Sequence, residues 1–400
     1  MFLLSPLLAT IAFCIITLHA SVVKPDPVIF GYLPTWQLDN IDNLDLTKYT
    51  HLSVSFAVPD SQAQLTLSNS DLAFSALPSD TSQKRLVSLG GWSGSKHLSE
   101  IFSNPEKRLK LQQQMIQWMH KYQLDGWDID YEYPGRQGAV CHKFDATKDT
   151  DNFLTFLNEL RDQMDGEFPV EEDGRKLITL AARFQPFDGP QGPLADVSAF
   201  AQPVDLINLM LYDFNGIWSQ TTGANAPLEA APEHSPGSFK SSITQWMDAG
   251  IPADKLVAGV AFYGRTVTAT SNMAENGSMH AKLLKEKIPQ GDTDDREEPD
   301  PSCGGPAVFS GIWKYRNIRQ DILPDTEQPL DAWVRFFDKD SQTPWLFNKE
   351  TKDFVSYDDT QSIATKVGYA KDRGLAGIMV WTVTNDYENE LLNTIYDTLQ

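Results

Sequence analysis

The 400-residue chain is poor in cysteine and histidine, and its basic residues are outnumbered by acidic ones. It has three cysteines and seven histidines, and no two histidines stand in an H-E-x-x-H or similar metal-binding spacing. Lysine and arginine number 33 against 54 acidic residues, which gives a formal net charge of −21 at pH 7. Because this charge repels phosphates, the composition excludes a nucleic-acid partner. We expect no bound metal and no cofactor.

Charged side chains are also missing from residues 1–20, which contain no Asp, Glu, Lys or Arg. The apolar run at 7–13 and the small residues around Ala20 are typical of a cleaved signal peptide. The absence of an N-terminal positive charge leaves a retained anchor as the alternative. The run is shorter than the roughly 20 apolar residues that a membrane span requires. We therefore expect cleavage and secretion, and no other segment is apolar enough to cross a membrane.

Cleavage would remove Cys14 and leave Cys141 and Cys303 as an even pair. In an oxidising compartment such a pair is expected to form a disulfide. The alternative is two buried thiols whose Cα atoms lie too far apart to bridge. Asn276, within Asn276-Gly277-Ser278, is the only glycosylation sequon and fits secretion.

What the chain does contain is a cluster of acids on one short apolar segment. Asp125 starts the segment, and strand alternation places Asp128, Asp130 and Glu132 on one face. The opposite face carries three large apolar side chains, those of Trp127, Ile129 and Tyr131. Crowded carboxylates raise one pKa and leave a neighbour ionised, which suits general acid–base catalysis. The alternative, a solvated acidic edge strand, would require polar residues on both faces.

Short apolar runs alternate with longer helical patterns along the chain, which predicts eight βα units. The runs lie at 28–32, 52–56, 85–88, 126–131, 177–181, 206–211, 256–261 and 376–380. Eight such units predict an α/β protein of the (β/α)8 TIM-barrel class. Active sites of this fold lie at the carboxyl ends of the strands. The candidate residues found at such ends are Glu132, Tyr212, Asp213, Arg265 and Trp381.

About ninety residues separate the seventh and eighth runs, far more than one βα unit takes. An acidic, Gly/Pro-rich stretch is followed there by aromatic residues in short strand-like runs. We predict a small α+β insertion domain at 267–355, a catalytic barrel at 21–266 and 356–400, and a signal peptide at 1–20.

The acidic segment, followed by Tyr133-Pro134, resembles the D-x-x-D-x-D-x-E signature of family 18 glycoside hydrolases, the chitinases and their relatives. Further motifs stand in the family's order on the third, sixth, seventh and eighth strands: Ser88-Leu89-Gly90-Gly91, Met210-Leu211-Tyr212-Asp213-Phe214, Phe262-Tyr263-Gly264-Arg265 and Gly377-Ile378-Met379-Val380-Trp381. The resemblance covers nearly the whole chain after the first two dozen residues and is strongest to secreted fungal chitinases. It implies a chitin or chitooligosaccharide ligand and an insertion that walls one side of the cleft, and we expect a monomer.

The resemblance also implies roles for four residues in substrate-assisted, retaining catalysis, in which the sugar's own N-acetyl carbonyl attacks the anomeric carbon. Glu132 would protonate the leaving oxygen and later activate water. Asp130 would orient the acetamido group, Asp128 would share a proton with Asp130, and Tyr212 would donate to the acetamido oxygen.

By the same resemblance, Asp213 and Arg265 would bind sugar hydroxyls and Trp381 would form the apolar floor. The remaining residues assigned to substrate binding are Met210, Tyr32, Phe56 and Trp92. Arg265 could instead pair structurally with Asp213 or with the insertion. Trp92 could line the cleft or pack on the barrel rim. Ser88 is expected to be structural, with a bond to Asp128.

Three functions are compatible with the sequence. The leading one is a secreted chitinase that hydrolyses β-1,4 links between N-acetylglucosamine units. A non-catalytic chitin-binding lectin or effector is the second, and by resemblance such relatives commonly lose the residue matching Glu132, which this chain keeps. The third is an endo-β-N-acetylglucosaminidase acting on N-glycans, although the insertion and the tryptophans favour a long polymer.

Overall fold

The computed structural model describes residues 26–38, 41, 44–77, 82–169, 174–230, 233–326 and 328–400. The predicted signal peptide at 1–20, including Cys14, lies outside this part of the chain. No helix among the described residues is long and apolar enough to span a membrane.

The strands, in chain order, are β1 (Val28–Pro34), β2 (His51–Pro59), β3 (Leu65–Thr66), β4 (Lys84–Gly90), β5 (Gly126–Asp130), β6 (Leu177–Arg183), β7 (Asp188–Gly189), β8 (Gly192–Pro193), β9 (Leu206–Met210), β10 (Leu256–Ala261), β11 (Tyr263–Thr268), β12 (Glu298–Asp300), β13 (Gly304–Val308), β14 (Ile312–Lys314), β15 (Trp333–Asp338), β16 (Thr343–Asn348), β17 (Asp353–Ser356) and β18 (Gly377–Trp381). The α-helices are α1 (Ser70–Ala76), α2 (Gly91–Gly94), α3 (Leu98–Ser103), α4 (Pro105–Tyr122), α5 (Asp149–Glu167), α6 (Phe239–Asp248), α7 (Tyr315–Asp321), α8 (Thr360–Asp372) and α9 (Glu390–Leu399).

Eight parallel strands close into a barrel in the order β1, β2, β4, β5, β6, β9, β10 and β18, and β18 pairs back with β1. The predicted (β/α)8 barrel is therefore confirmed. All five residues of β5 are buried, because the strand lies between β4 and β6 and is backed by helices. This position brings the acidic segment to the centre of the molecule.

The outward face of β5 packs on the helix layer, as the alternation predicts. The indole Nε1 of Trp127 donates to the Met115 carbonyl of α4 at 3.2 Å. The ring of Tyr131 lies edge-on to Phe102 and Phe153. Burying aromatic side chains of this size stabilises the fold by about 1.5–3 kcal/mol each. The apolar face thus provides the packing energy that holds the carboxylates inside the barrel.

Helix α4, which backs β5, has clear sequence signals at both ends. The side chain of Asn104 caps its N-terminus by accepting from the backbone amides of Glu106 and Lys107. Pro105 occupies the first turn, where its missing N–H costs nothing. Gln123 ends the helix in the left-handed conformation.

Between the seventh and eighth barrel strands, a five-stranded antiparallel sheet is built in the order β14-β11-β17-β16-β15. A single residue, Phe262, separates the end of β10 from the start of β11, so the sheet continues directly from the barrel. Phe336 and Trp345 stack in its core with ring centroids 4.3 Å apart. Asn276 lies in this insertion and is exposed. Helix α7 supplies the helical part of the insertion.

Cys141 and Cys303 form a disulfide with Cα atoms 5.4 Å apart, within the range that such bonds require. The alternative of two distant thiols is wrong for this structure. Cys141 follows β5, and Cys303 lies in the turn between β12 and β13. The bridge therefore joins the insertion to a loop of the barrel.

Candidate active site

Asp128 lies at the bottom of the site, inside the barrel, with no exposed surface. Its Oδ2 accepts from the Tyr32 hydroxyl at 2.9 Å and the Ser88 hydroxyl at 2.7 Å. Its Oδ1 accepts from the Thr179 hydroxyl at 2.6 Å and the Asn208 amide at 3.3 Å. Burial raises the pKa of Asp128, whereas these hydrogen bonds favour its ionised form. Side chains from four other barrel strands, β1, β4, β6 and β9, thus hold this carboxylate in one orientation.

Asp130 is the next acid towards the carboxyl end of β5, and it is only 4% exposed. Its Oδ1 is buried and has no hydrogen-bond partner among the described residues. Burial, followed by the charges of Glu132 and Asp128, raises the pKa of Asp130 well above its ordinary value. No hydrogen bond joins Asp130 to Asp128 within the described ranges, so their shared proton stays a prediction. A buried carboxyl oxygen without a partner is unusual and leaves Asp130 able to bond a ligand.

Glu132 lies two residues beyond the last residue of β5, rather than within the strand as the alternation argument assumed. Its backbone N–H donates to the Ser95 hydroxyl at 2.9 Å, and Ser95 donates on to the Gly91 carbonyl at 2.8 Å. Burial raises the pKa of Glu132 to about 7, against a hydrogen bond with Tyr133 that favours the carboxylate. Glu132 is therefore a carboxylic acid that still carries its proton close to neutral pH.

The phenol of Tyr212 lies just beyond β9 and is nearly buried. Its hydroxyl has only a weak partner, the sulfur of Met379 at 3.8 Å. Burial raises the pKa of Tyr212 well above its ordinary value, so the hydroxyl stays a hydrogen-bond donor. Met210, the last residue of β9, is partly buried in the same apolar cluster inside the barrel.

Asp213 and Arg265 form an ion pair on the β9–β11 side of the site. Asp213 Oδ1 accepts from Arg265 Nε at 2.5 Å, and Oδ2 accepts from Nη2 at 2.7 Å. The Tyr263 hydroxyl also donates to Asp213 Oδ1, at 2.6 Å. The structural pairing left open by the sequence is thus present. Because both side chains keep some exposed surface, they can still contact a ligand.

An aromatic surface extends from the acids to the barrel rim. Trp381, the last residue of β18, stacks on Phe56 at 5.6 Å and tilts against Tyr32 at 5.4 Å. Phe56 in turn lies 6.1 Å from the ring of Trp36, which is 56% exposed. Flat apolar rings arranged in this way suit the faces of sugar rings.

Trp92 lies apart from that surface. It is 47% exposed, and its ring stands edge-on to Tyr133 at 6.4 Å. Because Tyr133 follows Glu132 directly, Trp92 lies near the acid. The two alternatives given for Trp92 stay open.

Several site residues were missed by the sequence reasoning. They are Trp36, Ser95, Thr179, Asn208, Trp218 and Tyr263. Asn208 and Thr179 carried a usable signal, because each is a polar residue within an otherwise apolar strand. Trp218 carried none, since it lies in a loop, where its exposed ring contacts the Arg265 guanidinium at 4.9 Å.

A cluster with metal-binding composition occurs in the described part of the chain, formed by Cys141, His142 and Cys303. The two sulfur atoms are joined in the disulfide, and thiolates, not disulfides, bind metals.

The acidic site itself combines a protonated carboxyl, a second carboxyl with a free oxygen, and a phenol donor. That set can protonate a leaving oxygen while stabilising positive charge beside it.

Comparisons with known proteins agree with this architecture. The sequence profile described as glycosyl hydrolases family 18 matches residues 28–386. Chitinase-like effectors of Moniliophthora roreri and Moniliophthora perniciosa are 33% and 34% identical, each over 91% of this chain and over 91% and 85% of their own lengths. Chitinase A1 of Niallia circulans is 30% identical over 78% of this chain and 42% of its own length.

Solved structures are similar over nearly the whole chain. A chitinase from Rhizomucor miehei has a TM-score of 0.85 and 29% identity, covering 93% of this chain and 100% of that one. The Ostrinia furnacalis Group IV chitinase, solved in complex with allosamidin, has a TM-score of 0.77 and 27% identity, covering 94% and 99%.

Proposed function

Because this chain belongs to glycosyl hydrolase family 18, we propose that it is a chitinase that hydrolyses β-1,4 bonds between N-acetylglucosamine units. The observation that carries the proposal is the state of Glu132, a buried carboxylic acid at the carboxyl end of a barrel strand with a pKa of about 7. An acid of this kind can donate a proton near neutral pH. Its neighbour Asp130 offers a buried oxygen without a partner.

The first step is cleavage of the glycosidic bond. Glu132 gives its proton to the bridging oxygen, which leaves with the electron pair of its bond to the anomeric carbon. The carbonyl oxygen of the sugar's N-acetyl group attacks that carbon from the opposite face, which yields an oxazolinium ion. Asp130 accepts a hydrogen bond from the acetamido N–H, and Tyr212 donates one to the acetamido oxygen.

The second step restores the enzyme. Glu132, now a carboxylate, takes a proton from water, whose oxygen attacks the anomeric carbon on the face that the leaving group vacated. The oxazoline ring opens, and the product keeps the original anomeric configuration. Asp128 is saturated with hydrogen bonds and has the supporting role of holding β5 and its charge in place.

The remaining site residues bind the polymer in this proposal. Trp381, with Phe56 and Tyr32 behind it, forms the floor under the reacting sugar. Asp213 and Arg265 meet sugar hydroxyls from the opposite side. Met210 fills the space beside the acetamido group, and Trp92 lies at the rim.

A second function, an oligosaccharide-binding effector without catalysis, has one observation in its favour. The two chitinase-like effectors are slightly more similar to this chain than is chitinase A1. Retention of Glu132 favours catalysis instead. No observation favours an endo-β-N-acetylglucosaminidase.

The deciding experiment incubates the purified protein with chitohexaose and, separately, with a high-mannose glycopeptide. A chitinase releases shorter oligosaccharides from the first and leaves the second intact. The Glu132→Gln variant should bind chitohexaose but lose about 10²–10⁴-fold in turnover, since an amide cannot donate the proton. Binding by the wild type without hydrolysis would establish the effector function, and a variant that keeps a tenth of wild-type turnover would overturn the role of Glu132.

We further propose removal of residues 1–20, secretion as a monomer, and an insertion domain at 267–355. Glycosylation of Asn276 is compatible with its exposure. Treatment of the secreted protein with an N-glycosidase should lower its mass, and Asn276→Gln should abolish that change. A secreted protein whose mass the enzyme leaves unchanged would refute the modification.

A further inference from the structure

A hairpin of the insertion is fastened to other parts of the chain at both its tip and its base. It consists of β12 and β13 with the turn between them, residues 298–308, and is called the strap below. Asp295 holds together the segments that lead into and out of the strap, and this region is called the base of the strap. Asp295 Oδ2 accepts from the amides of Gly291 at 2.8 Å and Gly311 at 3.1 Å. Thr266 of β11 donates to the Gly311 carbonyl at 2.8 Å, which anchors the base beside the seventh barrel strand.

The tip of the strap is fastened to two other loops. Cys303 is bonded to Cys141, which follows β5. Lys96, which follows β4, donates from Nζ to the Ser302 carbonyl at 2.8 Å. The Ser302 hydroxyl lies 3.3 Å from Nε2 of the buried His142. The tip therefore lies above the third and fourth barrel strands.

These two anchor points lie on opposite sides of the barrel. In the ring β1, β2, β4, β5, β6, β9, β10, β18, the seventh strand, beside which the base lies, is four steps from the third strand and three from the fourth. Eight strands about 4.8 Å apart and tilted by about 36° give a barrel roughly 15 Å across. The eight residue-to-residue steps from Asp295 to Cys303 reach about 26 Å when extended, which is enough to cross it.

The exposure of the strap indicates that it crosses open space. All five residues of β13 are exposed, and two of the three residues of β12 are. A hairpin packed along the barrel rim would bury the side chains of one face. This strap buries neither face, which is expected of a segment held at its tip and base that does not pack along a wall.

The aromatic surface crosses the barrel in a different direction from the strap. Trp36 and Phe56 mark its end near the first and second strands. Across the site, after the sixth strand, Trp218 contacts Arg265, which is paired with Asp213. A saccharide on this surface passes under the strap at nearly a right angle.

We infer that the strap roofs the catalytic cleft and makes it a closed passage that admits chains end-first. The identity of the ligand in this inference is taken from the proposed function. The strap would restrict the substrates to unsubstituted N-acetylglucosamine oligosaccharides and free polymer ends. Internal segments of a chain, and chains with bulky substituents, cannot enter from the side while the strap is fastened.

The test compares two soluble substrates, chitohexaose and glycol chitin. The sugars of glycol chitin carry hydroxyethyl groups, whereas those of chitohexaose are unsubstituted. The wild type should cleave chitohexaose far better than glycol chitin. The double variant Cys141→Ser/Cys303→Ser, which releases the tip without leaving a free thiol, should raise the rate on glycol chitin relative to chitohexaose by about fivefold or more. If the double variant leaves the ratio of the two rates unchanged, the inference that the strap roofs the cleft is wrong.

A second measurement does not depend on catalysis. In the Glu132→Gln background, chitohexaose should dissociate at least about fivefold more slowly from the protein that has the disulfide than from the protein in which both cysteines are serine. If the wild type cleaves nothing but this difference is present, the proposed function fails and the strap inference stands. If chitohexaose is cleaved but neither the substrate ratio nor the dissociation rate changes, the strap inference fails alone.

A milder variant guards against misfolding of the double mutant. Lys96→Ala removes one tip contact and leaves the disulfide intact, so it should shift the substrate ratio in the same direction by a smaller factor. Lys110→Ala is the matched control, since Lys110 likewise donates to a backbone carbonyl, that of Gln62 at 2.7 Å, but lies on α4 away from the strap. Equal ratios for the two lysine variants and the wild type would contradict the inference.

Discussion

At the scale of single residues, the site is governed by burial of carboxyl groups. Glu132 and Asp130 lie only two positions apart and both have raised pKa values, for which burial is the first cause. A buried acid that is not compensated by hydrogen bonds is most stable when protonated. The raised pKa values therefore suit catalysis, and they also make the free energy of unfolding depend on pH.

The sign of that cost can be tested with Glu132→Gln. The folded pKa of Glu132, about 7, exceeds its ordinary value of 4.5, so its favourable contribution is complete below pH 4.5 and is lost as the pH rises through 7. The variant lacks this loss and should be more stable than the wild type at pH 8 by about 1–3 kcal/mol, with a smaller difference at pH 4.5. Urea unfolding at both pH values measures it. An equal difference at both would show that Glu132 is not buried with a raised pKa.

Asp130→Asn tests the coupling between the two acids. Turnover should fall by at least about a hundredfold, because an amide, unlike a carboxyl group, cannot ionise to stabilise the positive ring. The pH profile of the residual activity should also change, since the two carboxyls titrate as a pair and the charge of Glu132 is one cause of the raised pKa of Asp130. An unchanged pH profile, measured as kcat against pH, would make Asp130 a structural residue.

Alternation along one strand was enough to place Asp128 and Asp130 inside the barrel from the sequence. The network around Asp128 was only partly predictable. Ser88 belonged to a recognisable motif, but Asn208 and Thr179 come from strands that meet Asp128 only after the barrel closes. Those contacts are set by strand register, which local patterns do not determine.

At the scale of secondary-structure elements, β5 depends on the helix that backs it. Trp127 bonds and packs against α4, so the position of α4 helps to fix the position of the acids. The start of α4 was readable from Asn104-Pro105, a cap residue followed by a proline in the first turn.

Asn104→Ala should therefore destabilise the protein without changing its chemistry. Loss of the cap leaves the amides of Glu106 and Lys107 without a side-chain acceptor and should cost about 1 kcal/mol. Thermal unfolding should show a lower Tm, while kcat on chitohexaose stays within about twofold of the wild type. Asn104→Asp, which retains an acceptor oxygen, is the matched control and should restore the Tm. A Tm that is unchanged in the alanine variant would show that the cap contributes nothing.

The insertion was predictable at the level of elements only in outline. Its presence followed from the excess of residues between two barrel strands. Its sheet order did not, because short strands such as β12 and β14 have too few residues to show a period. The strap was not predicted for the same reason.

At the scale of the whole molecule, the disulfide closes a loop with a sequence separation of 162 residues and joins the insertion to the loop after β5. In the chain-entropy account, closure of a long loop stabilises the folded state by about 2–4 kcal/mol. The pairing could be expected from the sequence because the two cysteines are the even pair left after cleavage of the signal peptide in an oxidising compartment. Their places after the fourth and seventh predicted strands also put both in loops at the carboxyl face of the barrel.

Counting free thiols in the purified, secreted protein, denatured but not reduced, tests this pairing and the fate of the signal peptide together. The chain has three cysteines, of which Cys14 lies in the predicted signal peptide. We expect no reactive thiol, because Cys14 is removed and Cys141 is bonded to Cys303. One thiol would mean that the bridge is formed and residues 1–20 are retained. Two would mean that the leader is cleaved but the bridge is absent, in which case the strap would be free at its tip and the roof over the cleft would be lost. Reduction before the assay is the control, and it should raise the count by two, since each disulfide yields two thiols.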